Sequence, residues 1–351
     1  MKKSLLALAV LSAFASAASA QSSVTLSGML DAALQHTGTA TGSDWALNGA
    51  GSAFNNFTLS GKEDLGGGMN AFFTMNHRFR IQNGTINSAD NAAGVPTFYR
   101  NIFVGLGGAF GDVRLGRILM PLQEWNGAYD PWYGGYTVAS THTGGLAATV
   151  RANQAIYYRS PSMGGLTVHA AIAAGANQLQ AETANDYGSR APAPAALTQR
   201  PEGFAVTYAA GPLKVTAAYD KNYAAEKTTG LYGQYNFGVA ILNMQYESGD
   251  GTFNGNLSTG AEKVKAFSIS ADIPFGAFLG KVGYLRYDSD RALKDAHKFG
   301  VGGEYAFSKR TLIYADVAKS GGDRISLSGL GAAAYAGGDK SVFDLGLRHK
   351  F

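Results

Sequence analysis

The sequence has no cysteine, which excludes a disulfide scaffold and any thiolate metal site. Charge is scarce too: only 15% of the 351 residues are Asp, Glu, Lys or Arg, and 29 basic against 25 acidic residues leave +4. Two of those bases, Lys2 and Lys3, lie in a segment expected to be removed, so the mature chain carries 27 against 25, or +2. So slight a balance is no electrostatic footprint for nucleic acid. Beyond the first 20 residues there is also no uninterrupted apolar run near the ~20 residues that a spanning helix needs. Yet 46% of the residues are hydrophobic, too many for a disordered chain. A membrane location therefore requires a closed barrel of strands, because hydrocarbon tolerates no unpaired backbone donor or acceptor.

The first 20 residues read as a secretory leader. Lys2 and Lys3 precede an apolar stretch from Leu5 to Ala15, and the small residues Ala18 and Ala20 flank Ser19 just before Gln21. The expected division is a signal peptide over 1–20 and a mature domain over 21–351.

Along the mature chain, segments of period two recur from Val24 to Phe351. Tight connections rich in glycine (Leu65 to Gly68, Gly108 to Gly111, Ser162 to Gly165, Gly211-Pro212) alternate with long polar ones (His36 to Phe54, Asn83 to Pro96, Ile118 to Val150, Gly175 to Arg200, Ser248 to Glu262, Ser320 to Lys340). Short turns on one side and long loops on the other are the wiring of an outer-membrane barrel. Reading strands between these connections gives sixteen, an even number. The expected fold is all-β: a 16-stranded antiparallel transmembrane β-barrel with short periplasmic turns and long extracellular loops.

The strand faces alternate in chemistry. Phe343, Leu345, Leu347, His349 and Phe351 share one face, and Asp344, Gly346, Arg348 and Lys350 the other. The same split sets Leu213, Val215, Ala217 and Tyr219 against Lys214, Thr216 and Asp220, and Phe299, Val301 and Tyr305 against Lys298 and Glu304. Alternation alone does not separate a membrane barrel from a soluble one. Three features favour the membrane: the period runs through sixteen strands with no helix to cover an apolar face, aromatics such as Tyr208, Tyr246 and Phe307 sit at strand ends, and the last strand is placed to pair with the first and close the sheet.

Several segments together resemble the general, trimeric porins of Gram-negative bacteria, and most closely the anion-selective porins of the beta-proteobacterial group. They are Ser22 to Asp31 at the opening strand, Gly61-Lys62-Glu63-Asp64-Leu65-Gly66-Gly67-Gly68, Val113-Arg114-Leu115-Gly116-Arg117, Arg151 to Tyr158, and the closing Gly346-Leu347-Arg348-His349-Lys350-Phe351. The resemblance implies passive diffusion of small hydrophilic solutes and ions through a water-filled pore, without chemistry. It also implies a homotrimer in outer-membrane lipid and lipopolysaccharide, and a third loop that folds inward and narrows the lumen. The stretch of about 118–150 is the expected loop, and its Trp125, Tyr129, Trp132, Tyr133 and Tyr136 argue for packing.

The expected constriction sets a basic wall against an acidic loop. Arg78, Arg114 and Arg159 have inward parity on the strand reading, whereas Arg117, Arg151 and Arg100 are placed by the resemblance. Arg100 shares parity with Ile102 and Val104, so a bulge or a bend at the rim is needed to bring it into the lumen. Asn56 stands where the family usually carries a wall arginine, and Trp132 where the loop tip often has Glu. The loop's acids are Glu124 and Asp130. Arginines on a low-dielectric wall raise the local concentration of anions, which makes a mild anion preference the expectation; internal ion pairs with Asp31, Asp112, Glu124 or Asp130 are the alternative.

Other chemistry finds little support. The six histidines, His36, His77, His142, His169, His297 and His349, fall on separate segments without a metal or nucleophile motif. The chain reads as no enzyme, with no cofactor, no metal and no nucleic-acid partner. A structural or adhesive barrel with little conductance is the alternative, against which sixteen strands argue by leaving a channel.

Overall fold

The computed structural model describes residues 22–39, 42–49, 53–84, 100–132, 138–143, 151–174, 199–222, 225–250, 263–289, 295–322 and 340–351. The leader expected over 1–20 lies outside them. Among the described residues are seventeen strands: β1 Ser23–Thr39, β2 Gly42–Asn48, β3 Asn56–Gly66, β4 Met69–Arg78, β5 Ile102–Gly108, β6 Gly111–Leu119, β7 Arg151–Arg159, β8 Leu166–Ala173, β9 Glu202–Ala210, β10 Leu213–Lys221, β11 Lys227–Asn236, β12 Ile241–Asp250, β13 Lys263–Phe275, β14 Phe278–Ser289, β15 Asp295–Ala306, β16 Thr311–Gly322 and β17 Lys340–Lys350. One helix, α1 Pro121–Ala128, follows β6.

Successive strands pair antiparallel, and β1 pairs with β17 to close the sheet. The seventeen segments fill sixteen positions around the wall. One edge of β1 is shared, with Ser23–Met29 bonded to β3 and Ala33–Thr39 bonded to β2. β2 and β3 are thus one barrel strand, split between Asn48 and Asn56. This corrects the reading of His36 to Phe54 as a loop. The alternation of Trp45 and Leu47 with Asp44 and Ala46 is too brief to stand out in sequence, and it becomes a strand because β1 supplies its hydrogen-bond partners. His36 and Trp45 face each other across the pair, with ring centroids 4.6 Å apart.

Burial runs opposite to that of a soluble sheet. On β13, Phe267 and Ile269 are exposed while Ser268 and Ser270 are buried. On β17, Leu345 and Leu347 are exposed while Asp344 and Arg348 are buried. The same reversal on β9, β10, β12 and β15 makes one continuous apolar outer surface, far larger than the few hundred Å² that a water-soluble monomer leaves open. Lipid is the solvent that this face fits, and the polar face encloses the lumen.

Two local features position the site. In the β3–β4 turn, Gly66, Gly67 and Gly68 all take positive φ, at 78°, 60° and 77°, which lets a turn this tight join adjacent strands. In β6, a bulge between Gly116 and Ile118 interrupts the register with β7. Gly116 has φ of 150°, and a Cβ there would lie 2.2 Å from the Ile102 carbonyl oxygen. The extra residue turns Arg117, which by simple alternation would join Leu115 on the outer face, so that its side chain is buried instead.

Candidate pore constriction

After β6 the chain enters the barrel. Pro121 opens α1, where its missing N–H costs nothing. The helix lies on the inner wall of β9 to β11, with Leu122 and Tyr129 packed among Ala205, Ala218 and Tyr232. The Leu122 amide donates to Asp220 Oδ1 at 3.3 Å, and the Tyr129 ring stacks on Tyr232 with centroids 5.6 Å apart. Tyr129 Oη bonds Thr216 Oγ1 at 2.8 Å, and Gln245 Nε2 donates to the Tyr129 carbonyl at 3.0 Å. Tyr129 lies outside the spanning strands, and burial, only partly offset by the Thr216 bond, pushes its hydroxyl up to about 12.

The segment then crosses to the far wall. Trp132 Nε1 donates to Asp316 Oδ1 on β16 at 2.8 Å, and Trp132, Val138 and Ala139 cluster with Ala318 and Val342. Thr143 Oγ1 donates to Glu247 Oε1 at 2.6 Å, while Tyr287 Oη donates to the Thr143 carbonyl at 2.6 Å. Of the stretch expected as an inserted loop over about 118–150, Ile118 and Leu119 belong to β6; from Pro121 on it lies within the barrel wherever it is described, bonded to β10, β12, β14 and β16. Tyr133 and Tyr136 lie outside the described residues. The opposite side, from β1 and β3 to β8, borders a cavity of about 710 Å³ whose lining includes Thr25, Ser60, Lys62, Asn70, Asp112 and Arg159.

The structure divides the six arginines between two levels. Near the periplasmic turns, Arg114 Nε and Arg159 Nε share one carboxylate, Asp112, at 2.7 and 2.8 Å. Arg159 remains about half exposed, with 47% of its side chain accessible, against 9% for Asp112. The Arg114 guanidinium also lies 5.0 Å from the Tyr157 ring centroid. Higher up, Arg117 donates to Asn153 Oδ1 and Arg151 Nε donates to Asn101 Oδ1, the latter at 3.3 Å. Arg78 stacks on Phe54 at 3.6 Å from the ring centroid. Arg100, whose parity was counted with Ile102 and Val104, precedes β5 rather than belonging to it, because the strand begins at Ile102. About five residues of strand, roughly 16 Å, separate Asp112 from Arg117, so the six do not form one ring.

The loop acids go separate ways. Glu124 accepts the Tyr157 hydroxyl at 2.6 Å, and Tyr157 Oη also bonds His169 Nδ1 at 2.7 Å, so Tyr157 stands between Glu124 and Arg114. Asp130 is buried, accepting from Ser140 Oγ at 2.7 Å and from the Thr141 amide at 3.3 Å. It staples the loop to itself. Sequence reasoning did not single out Lys62 or Lys214 for the site. Lys214 Nζ sits 4.7 and 4.8 Å from the Trp125 and Tyr129 ring centroids, and its inward parity was the signal available for it.

A family model for Gram-negative porins matches residues 7–324. The chain belongs to the Gram-negative porin family. Outer membrane porin protein 32 of Delftia acidovorans is 32% identical to this porin over the full length of both chains. Among solved structures, an anion-selective porin from Comamonas acidovorans superposes with a TM-score of 0.76 at 27% identity, covering 94% of this porin and all of the other chain. A trimer form of OmpT from Vibrio cholerae, 13% identical, shares the fold at a TM-score of 0.67, with coverage of 94% and 99%. This porin is accordingly a protein of the Gram-negative outer membrane, and its relatives are channels rather than enzymes.

Proposed function

We propose that this porin passes small hydrophilic solutes and ions by passive diffusion and prefers anions mildly. The basic wall would be Arg78, Arg100, Arg114, Arg117, Arg151 and Arg159, faced by Glu124 and Asp130 on the loop. The observation that carries this reading is the unequal pairing at Asp112, where two guanidinium groups share one carboxylate. One positive charge is left over beside that cavity, and Lys62 adds another. On a low-dielectric wall such an excess concentrates anions and repels cations. At Arg114 and Arg159 ion pairing, the competing role, is present, with one carboxylate for two guanidinium groups.

The same reading includes cleavage of the leader after Ala20, assembly as a homotrimer, and contact with outer-membrane lipid and lipopolysaccharide. Reversal potentials of single channels in a salt gradient test the selectivity. A value showing Cl⁻ more permeant than K⁺ supports it, and a clear preference for K⁺ overturns it.

A further inference from the structure

One residue breaks the polarity of the inner wall. On β4 the lumen-facing positions run Asn70, Phe72, Thr74 and Asn76, while Met69, Ala71 and Phe73 take the other face. The interior of a channel-forming barrel is polar, yet the Phe72 side chain lines the cavity of about 710 Å³ and is only half-buried. The neighbouring strand makes room for it. Gly105 lies directly across on β5, and a Cβ there would sit 2.4 Å from Phe72 Cζ. Phe72 therefore leans over bare backbone, and its ring meets that of Phe103 in a T at 6.2 Å and 86°. Phe103 packs on the buried group around Tyr157, whereas Phe72 faces the cavity.

Cations flank this ring in register. Lys62 on β3 is the direct partner of Phe72, and Arg114 on β6 is the direct partner of Gly105. One row across the wall thus runs Lys62, Phe72, Gly105, Arg114, with no side chain at its third position. The next row towards the periplasm runs Asn70, Gly107, Asp112, Arg159. In both rows a glycine lets the β4 side chain lean towards the arginines; a Cβ on Gly107 would sit 3.1 Å from Asn70 Oδ1. The β4 and β6 backbones are two inter-strand spacings apart, about 10 Å, a span that one aromatic ring with a carboxylate fills. Asp64, opposite Asn70, accepts from the Gly66 amide in the turn at 2.9 Å, and Asp112 is shared by Arg114 and Arg159. Three cations against these two acids keep the surroundings of the ring positive.

An apolar ring beside an excess of positive charge matches a solute that is itself part ring and part anion. Chloride and acetate use the charge alone, and a neutral aromatic uses the ring alone. We propose that Phe72, Lys62, Arg114 and Arg159 form a weak binding subsite for small aromatic carboxylates at the periplasmic end of the lumen. The solute's ring packs on Phe72, and its carboxylate accepts charge-assisted hydrogen bonds from the guanidinium groups. The assignment rests on the anion preference proposed above and names a class of solute for it. A weak site in a channel favours entry without preventing exit, so it raises the flux of such solutes when they are dilute.

The test uses the full-length porin in planar bilayers, with sodium benzoate, sodium acetate and benzamide as probes in a KCl background. The expected result is a partial block of the single-channel current that grows with benzoate, at concentrations where acetate and benzamide have no effect. An aromatic contact contributes about fivefold in affinity, so Phe72→Thr weakens the block by benzoate about fivefold. Lys62→Gln, which removes charge and leaves the ring, weakens it about two- to fourfold. Unheated gel mobility reports that each variant barrel is folded, and Phe72→Leu, closer in volume, serves if the threonine variant is not. Equal block by acetate or benzamide, or a benzoate block that survives loss of the Phe72 ring, overturns the proposal. Reversal potentials in KCl alone read the anion preference and benzoate block reads the subsite, so a failure of either is recognised by itself.

Discussion

Replacing Asp112 by Asn removes the one anion shared by Arg114 and Arg159 and raises the local charge by one unit, with little change in shape. An ion passing about 5 Å away feels roughly 0.8 kcal/mol from a unit charge in water, or about 0.5 kcal/mol with screening at 0.1 M salt. That multiplies the local anion concentration about two- to fourfold and divides that of cations by the same factor. The amide still accepts from one guanidinium, and Arg159 is already half in water, so the wall loses little. In planar bilayers under a KCl gradient, the Cl⁻ to K⁺ permeability ratio of Asp112→Asn rises at least twofold, and the change shrinks in molar salt. Asp288→Asn, on the lipid side, leaves the ratio alone. A ratio that stays constant in Asp112→Asn, or falls, refutes the reasoning from incomplete pairing.

Gly300 gives the returning loop room to lie on the wall: a Cβ there would sit 2.1 Å from the Ala139 carbonyl oxygen. Gly300→Ala displaces the loop by about 1 Å, which lowers single-channel conductance and raises open-channel noise; a trace like that of the parent discounts this contact. Trp132→Phe removes the bond to Asp316 and costs the loop's attachment about 1–3 kcal/mol. Limited proteolysis between α1 and Val138 then speeds up several-fold while the barrel keeps its unheated gel mobility. Because Tyr129 holds its proton up to about 12 in the folded protein and only to about 10 when released, its contribution to loop docking is complete below pH 10 and is lost as pH rises towards 12. Channel noise in the parent grows over that window, and Tyr129→Phe removes this step.

The architecture was legible because two independent signals coincide. Period-two alternation marked the strands, and the contrast between glycine turns and polar loops marked their ends, so β9 to β17 fall within a few residues of expectation. The failures share a cause, which is that pairing rather than pattern decides. β2 exists through its bonds to β1, and its four alternating residues carry too weak a pattern alone. Arg117 turns inward through a bulge that Gly116 permits, and parity has no means of anticipating an inserted residue. Arg100 was placed on a strand that begins two residues later. The aromatic content of the loop signalled packing, but its partners lie on strands 87 to 184 residues away, beyond any local reading of the chain.

That separation sets an order of events. Thr216, Glu247, Tyr287 and Asp316 must stand in a finished wall before Tyr129, Trp132 and Thr143 have anything to hold. Contacts this distant in the chain form late, once the intervening segments have paid their entropy of closure. A nascent barrel would therefore pass through a wide-bore stage, and the appearance of the native, narrower conductance would time the completion of assembly.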